Sequence, residues 1–320
     1  MNRTPLFRTA VVLTAALALA LPALAKDDAL SLVPANAVTV GMVKLQEMRS
    51  SPLSSILFEQ TDKMSADGEA QKFLSDAGLA PSKDVDVLVV ATAPRTNLGS
   101  DADVLVIAEG RFNVERLSTA LASRGAVKKG GYFSLPEKEG TAAVAFPSAA
   151  LVIAGTERAV IAALEARSKG GTSFRSANGL GMDLARIDRS ATAWALVDVT
   201  RAARLTKGGT INTGKGQAGE ALGTALKTLS TVAVWAKDTG AALELGAFGL
   251  SNDSETLALL EDTVRGALAA MRLAVKDKAP EMVSVLRKFD VTRKADSITI
   301  EGSIPGNTLR ELMAKKRASN

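Results

Sequence analysis

The segment GKGQAG at residues 214–219 has the G-x-G-x-x-G spacing of a dinucleotide-binding loop, and Asp238 lies 19 residues after its last glycine. In such a loop the glycines follow a strand directly, so that backbone N–H groups at a helix N-terminus meet the pyrophosphate. Here the preceding predicted strand ends near Val199, about 14 residues earlier. We therefore interpret residues 206–219 as a flexible linker and predict no cofactor.

The same loop matches a triphosphate-binding loop only in part. Gly209, Gly214 and Lys215 have the required spacing, but Gly216 stands where a Ser or Thr hydroxyl would hold Mg²⁺. A generic anion could still be held by backbone N–H groups and the lysine. Gly214, Lys215 and Gly216 are therefore kept as a candidate anion loop.

Histidine and cysteine are both absent from the 320 residues. Their absence excludes Ser-His-Asp and Cys-His catalysis, a histidine general base, disulfides, and zinc sites built from these residues. The chain also contains no G-x-S-x-G and no S-x-x-K motif. What remains is the chemistry of carboxylates, lysines, hydroxyls and the backbone.

Acidic residues alternate at the predicted strand ends, as Asp84 with Asp86 and Asp101 with Asp103. Calcium sites need spaced acids of this kind together with a glycine turn. We interpret both pairs as solvated strand ends and predict no metal site.

A second arrangement of acids would suit hydrolysis. Glu109 and Glu301 are predicted at matching strand ends, and paired carboxylates can act as acid and base. An internal repeat alone would explain their recurrence, so we assign no catalytic residue.

The first 25 residues have the form of a secretory signal peptide. Arg3 and Arg8 precede an uncharged stretch at 10–21, and Ala23 and Ala25 form an A-x-A site before Lys26. An uncleaved anchor is the alternative. No later run reaches 18 apolar residues, so we predict no transmembrane segment in the mature chain and a periplasmic or extracellular location.

The charge balance argues against nucleic acid as a partner. The formal charge of +5 falls to +3 once the signal peptide is removed, and the basic residues are scattered among acids. Aromatic residues make up 4% of the chain, which leaves few rings for base stacking. The basic tail at 315–317 could contact anionic lipid or lipopolysaccharide, but we favour solubility and the dipole of the last helix as its explanation.

The secondary structure predicted from the sequence is a repeated pattern of short Val-, Ile- and Ala-rich strands, in which each pair of strands is followed by a helix. Hairpins are predicted at 85–91 with 104–109, 141–146 with 151–154, 231–236 with 242–248, and 288–293 with 297–301. One further strand and helix precedes each half, at 38–45 with 52–79 and at 192–199 with 217–229. Matching elements lie about 140–150 residues apart, which predicts an internal duplication.

The predicted fold is α+β, with two related halves of order βα-ββα-ββα. Each half has a mainly antiparallel sheet with helices packed on one face. The halves cover residues 26–175 and 182–320, with the boundary in the Gly- and Ser-rich stretch 168–181. They could pack side by side or extend one another's sheet. A groove between them is the expected place for a ligand or partner.

The start of the mature chain carries a recognisable opening. Leu32, Pro34 and Ala35 precede the strand at 38–45, then Ser51-Pro52-Leu53 leads toward a helix, and the run GLAPSKDV at 78–85 leads into the second strand. This opening resembles that of exported bacterial proteins of unknown function with the pattern LxPAxx…VxVxL…LxxSPL. The resemblance covers about a quarter of the chain. It implies export and an α+β fold, and no catalytic residues.

These observations favour a non-catalytic binding or scaffold protein of the bacterial envelope, whose partner is an envelope protein or a small ligand. One alternative is a carboxylate-dependent hydrolase of envelope material. Another is a carrier of a small apolar ligand held between helices and sheet.

The signal peptide gives the first prediction. Mass spectrometry of the exported protein should show a chain that begins at Lys26, because cleavage follows the A-x-A site. Intact Met1 recovered in the membrane fraction would contradict it.

Overall fold

The computed structural model describes residues 28–51, 53–54, 68–95, 102–137, 140–170, 173–176, 179–205, 226–277 and 279–318. Within them the chain forms one twelve-stranded sheet and ten helices. The strands are β1 (Thr39–Val43), β2 (Val85–Pro94), β3 (Ala102–Gly110), β4 (Val127–Lys129), β5 (Tyr132–Glu137), β6 (Gly140–Ser148), β7 (Leu151–Thr156), β8 (Ala193–Asp198), β9 (Thr231–Asp238), β10 (Ala242–Leu250), β11 (Asp290–Arg293) and β12 (Ser297–Pro305). The helices are α1 (Leu45–Ser50), α2 (Gly68–Ala77), α3 (Pro81–Asp84), α4 (Val114–Ser123), α5 (Glu157–Lys169), α6 (Leu180–Asp183), α7 (Val199–Leu205), α8 (Ser254–Val275), α9 (Pro280–Leu286) and α10 (Gly306–Ala318).

The strands lie in the order β11-β12-β10-β9-β8-β1-β2-β3-β7-β6-β5-β4, and every neighbouring pair is antiparallel. The fold is α+β with a large antiparallel sheet, as predicted. β1 pairs with β8 from Thr39 opposite Val197 to Val43 opposite Ala193. Of the two arrangements considered, the halves therefore extend one another's sheet. No helix in the described ranges is long and apolar enough to cross a membrane.

Alternating side chains give the sheet two different faces. We call the face that carries Val89, Ile107 and Ile153 face A, and the face that carries Leu88 and Val152 face B. The three face A residues are fully buried.

Face A is covered by one continuous hydrophobic cluster. It includes Val40 and Ile107 from the first half of the sheet and Leu196 and Phe248 from the second. The 3₁₀ turn Ala29–Leu32 packs into the same cluster. The prediction of a groove between the halves is therefore wrong for face A, because apolar side chains from both halves fill that space.

Face B carries two separate clusters. Leu117 of α4 packs with Leu88 and Val152 in one, and Leu257 of α8 packs with Ile298 in the other. The prediction of helices on a single face is therefore wrong, since α5 covers face A while α4 covers face B. The cause is visible in β2 and β3, whose near-continuous apolar runs leave both faces in need of cover.

Local signals set the ends of several helices. Asn113 accepts a hydrogen bond from the backbone N–H of Arg116 at 3.0 Å and caps α4. Asp253 does the same for α8 through the N–H of Glu255, also at 3.0 Å. Such caps satisfy backbone donors that have no partner within the helix.

The hairpin of β4 and β5 was not predicted. It gives the first half seven strands, against five in the second half. β4 is three residues long and exposed, and its lysines lie at the edge of the sheet, where charge discourages pairing with another chain. Of the helices predicted at 52–79 and 217–229, residues 52, 55–67 and 217–225 lie outside the described residues.

The long helix α8 gives a matched test of core packing. Leu257 is fully buried, whereas Leu259 on the same helix is 63% exposed. We expect Leu257→Ala to lower the free energy of unfolding by about 2–5 kcal/mol, because it leaves a cavity. Leu259→Ala should change it by less than about 0.5 kcal/mol. Urea denaturation of both variants checks this, and similar losses would contradict the packing described here.

Candidate functional site

A cavity of about 330 Å³ lies on face A between α5, strands β2 and β3, and the segment 32–36. We call it the alanine groove. Ala91, Ala93 and Leu105 line it from the sheet. Leu32, Val33 and Pro34 line it from the N-terminal segment.

The helical wall explains why this space is open. Ala159, Ala162, Ala163 and Ala166 of α5 all line the groove. They follow the i, i+3, i+4, i+7 spacing that places side chains on one helix face. Methyl groups reach only a short way toward the sheet, so a gap remains where larger side chains would give the close packing usual in protein interiors.

An ionic cluster around one buried carboxylate lies at the end of the groove nearest the start of α5. The Asp103 carboxylate, 6% exposed, accepts hydrogen bonds at Oδ1 from Arg95 Nε (3.0 Å) and Thr156 Oγ1 (3.1 Å). Its Oδ2 accepts one from Arg158 Nε at 2.7 Å. We call these four residues the Asp103 cluster.

The cluster carries two guanidinium groups and one carboxylate, an excess of one positive charge. The Arg158 side chain is 59% exposed, and its Nη2 also donates to the backbone oxygen of Arg95 at 3.0 Å. Both Asp103 oxygens are occupied by donors, so this carboxylate is poorly placed to accept a proton from a substrate. The arrangement suits binding of a negative group better than catalysis.

The start of α5 is positioned by the end of β7. Gly155 has φ +144°, and a Cβ there would lie 2.0 Å from the backbone oxygen of Val104, so only glycine fits. Thr156 follows at the N-cap position, where its side chain makes no cap hydrogen bond and its hydroxyl donates to Asp103.

Glu157, the first residue of α5, holds the helix to the outer strands. It accepts hydrogen bonds from Lys129 Nζ at 2.9 Å and Tyr132 Oη at 3.0 Å. These two bonds, led by that from Lys129, lower the pKa of the Glu157 carboxyl. The acid and the lysine neutralise one another, so Glu157 does not balance the excess positive charge of the Asp103 cluster.

The cleavage-site and anion-loop residues named from the sequence are not among the described residues that line the alanine groove. Ala23, Ala25 and Lys26, together with Gly214, Lys215 and Gly216, all lie outside the described residues.

Asp238 lies where the acid that binds the ribose hydroxyls would stand in a dinucleotide-binding motif, but in the structure it ends β9 and stabilises the turn that follows. It accepts hydrogen bonds from the Ser54 hydroxyl and, at 2.7 Å, from the N–H of Gly240. Burial alone would raise the pKa of Asp238, but hydrogen bonds from Ser51, Ser54 and Gly240 together lower it. These contacts explain the residue without a nucleotide.

The structure does not bring together Glu109 and Glu301, the two carboxylates that were considered for hydrolysis and not assigned to it. Glu109 on β3 is 8% exposed and accepts a hydrogen bond from the N–H of Ala29 at 2.8 Å. Glu301 on β12 is exposed and six strand positions away, about 29 Å at the usual strand spacing. Among the described residues, no three acidic side chains converge as a metal site would require.

The interpretation of the acidic pairs as solvated strand ends is wrong for Asp103. Asp84 and Asp86 are half-buried, and each has a hydrogen-bond partner. Asp84 accepts a hydrogen bond from the N–H of Ala80 at 2.8 Å, and Asp86 pairs with Arg49. Asp103 is buried in its cluster. Its partner in the sequence pattern, Asp101, lies outside the described residues.

One sequence signal could have located Asp103. It has the same strand parity as Leu105 and Ile107, both buried on face A, so alternation along β3 predicts that it points toward the core. A carboxylate directed inward needs partners, and that requirement points to arginines.

Comparison with protein-family models and with curated proteins gives no match. Among solved structures, the chain is similar to crystal form I of TP0453, with 9% sequence identity, a TM-score of 0.50, and coverage of 90% of this chain and 97% of that chain. It also matches crystal form IV of TP0453 with 9% identity and a TM-score of 0.49, covering 89% of this chain and 96% of that chain. At this identity the similarity to form I concerns the fold alone.

The Asp103 cluster predicts a stability effect. Asp103→Asn should lower the free energy of unfolding by about 1–3 kcal/mol, because an amide has one acceptor oxygen and its NH2 group would face one of the two guanidiniums. Asp290→Asn, on the exposed edge strand β11, is the matched control and should cost less than about 0.5 kcal/mol. Urea denaturation provides the measurement, and equal costs would show that the Asp103 carboxylate contributes no more to stability than an exposed one.

Proposed function

We propose that this chain is an exported, non-catalytic binding protein of the bacterial envelope that holds a small, largely apolar ligand in the alanine groove. The observation that carries the proposal is the groove itself, whose walls are almost entirely aliphatic. Its volume of about 330 Å³ is at the lower end of the range for small-molecule sites. The same site would therefore serve both hypotheses from the sequence, that of a binding protein and that of a carrier of an apolar ligand.

The arrangement of the acids supports binding over catalysis. Glu109 and Glu301 are too far apart to act on one bond, and the carboxylate in the groove is held by three donors. A carboxylate-dependent hydrolase is therefore the less supported alternative.

Export is proposed from the signal peptide pattern at residues 1–25, and the resemblance to exported proteins of unknown function agrees with it. The ligand would then be a molecule of the envelope or its surroundings.

We also propose that the chain arose by duplication, with repeats at 26–175 and 182–320. The strand order supports this. Outward from the centre, one half runs β1-β2-β3-β7-β6 and the other runs β8-β9-β10-β12-β11. Each half therefore starts with three strands in chain order and then inverts its next hairpin. The hairpin of β4 and β5 would be an addition to the first repeat.

A neutral apolar dye such as Nile red tests the groove without reference to charge. Ala162→Phe places a ring on the groove wall, and Ile161→Phe adds one on the outward side of the same helix. We expect wild type and Ile161→Phe to bind the dye equally, with Ala162→Phe at least about tenfold weaker because the space is filled. Fluorescence titration measures this. Equal binding by all three proteins, or none by wild type, would overturn the proposed function.

A further inference from the structure

The alanine groove has one charged end, and its remaining lining is mostly aliphatic. Arg158 and Asp103 lie at one end, and Ala166 lies eight residues further along α5. The rise of a helix makes this separation about 12 Å. Among the described residues that line it, Asn36 on the N-terminal segment is the remaining polar one. A ligand that matches this lining has one polar head and one apolar tail.

The charge of that head follows from the groups around Arg158. Arg95 and Arg158 face a single carboxylate, Asp103, and the nearby Glu157 is paired with Lys129. The start of the thirteen-residue helix α5 adds the partial positive charge of a helix N-terminus. Both Asp103 oxygens are covered by donors, so an incoming anion meets a net positive end.

The guanidinium group of Arg158 is oriented so that it can donate to such an anion. Its Nε and Nη2 both lie 2.7 Å from Asp103 Oδ2, and Nη2 also donates to the backbone oxygen of Arg95. Its Nη1 has no acceptor among the described residues. Holding two nitrogens in place orients the guanidinium plane before any ligand arrives. A planar, permanently charged donor of this kind suits a carboxylate.

We propose that the alanine groove binds a free single-chain amphiphile with a carboxylate head, such as a medium-chain fatty acid. This inference rests on the proposed function. The carboxylate would accept hydrogen bonds from Arg158, and the alkyl chain would lie between the alanines of α5 and those of β2. A cationic head would be repelled by the excess guanidinium charge, and a two-chain lipid is too large for about 330 Å³.

The test compares carboxylates with alcohols of the same chain length, by calorimetric titration of the purified mature protein below micelle-forming concentrations. In a series from octanoate to tetradecanoate, affinity should rise about fourfold per added methylene and level off once the chain fills the groove. Dodecanoate should bind about tenfold more tightly than dodecanol, the effect of one charge-assisted hydrogen bond at a partly exposed site.

Two arginine variants separate charge recognition from packing. Arg158→Gln should reduce the dodecanoate-to-dodecanol affinity ratio to near one. Arg167→Gln, on the same helix and outside the groove lining, should keep the wild-type ratio. Because Arg158→Gln also removes a partner of Asp103, Arg158→Lys provides a folded, charged comparison and should retain part of the ratio.

Each outcome decides between the two proposals. Equal affinity of wild type for dodecanoate and dodecanol overturns this inference and leaves the proposed function standing if dodecanol or Nile red binds. An unchanged ratio in Arg158→Gln also overturns it. If neither amphiphile nor the dye binds wild type, the proposed function fails as well.

Discussion

The antiparallel pairing of β1 with β8 is the contact on which the rest of the fold depends. It runs over five residue pairs and places Val40 opposite Leu196, both almost completely buried on face A. Without it each half would expose a central strand with a row of unpaired backbone groups. With it, the apolar residues of both halves form one cluster beneath the N-terminal turn and α5. The groove lies on the border of that cluster.

Two helices cover the sheet in different ways, and the difference creates the site. α8 packs with Leu257, Leu260 and Val264, whose branched side chains reach the strands and leave a filled interface. α5 presents alanines over β2 and β3 instead, so the same kind of packing leaves a cavity. The Asp103 cluster then anchors the start of α5 to β3, which holds the cavity walls at a fixed separation. The site is a consequence of small side chains in a place where the backbone is held by ionic contacts.

Much of the fold could be predicted because its signals are local. The eight predicted hairpin strands all appear within a few residues of their predicted bounds, since alternation and turn residues act over short distances. The hairpin of β4 and β5 could not be predicted from the sequence, because β4 is short and exposed on both sides and therefore shows no alternation. The sequence also did not predict that helices cover both faces of the sheet. Each strand's apolar run is compatible with burial on one face or both, and only the arrangement of neighbours decides.

The sequence by itself determined the chemistry that this protein lacks, through the absence of histidine and cysteine, and the strands and helices it forms, through side-chain periodicity and caps. It also contained the parity signal that directs Asp103 toward the core. Only the tertiary structure decided that Arg95 and Arg158, 63 residues apart in the chain, meet on that carboxylate. It likewise decided that the alanines of α5 face β2 across an open space. The physical reason is that cavities and ionic clusters depend on distances between elements, and periodicity within one element carries no information about them.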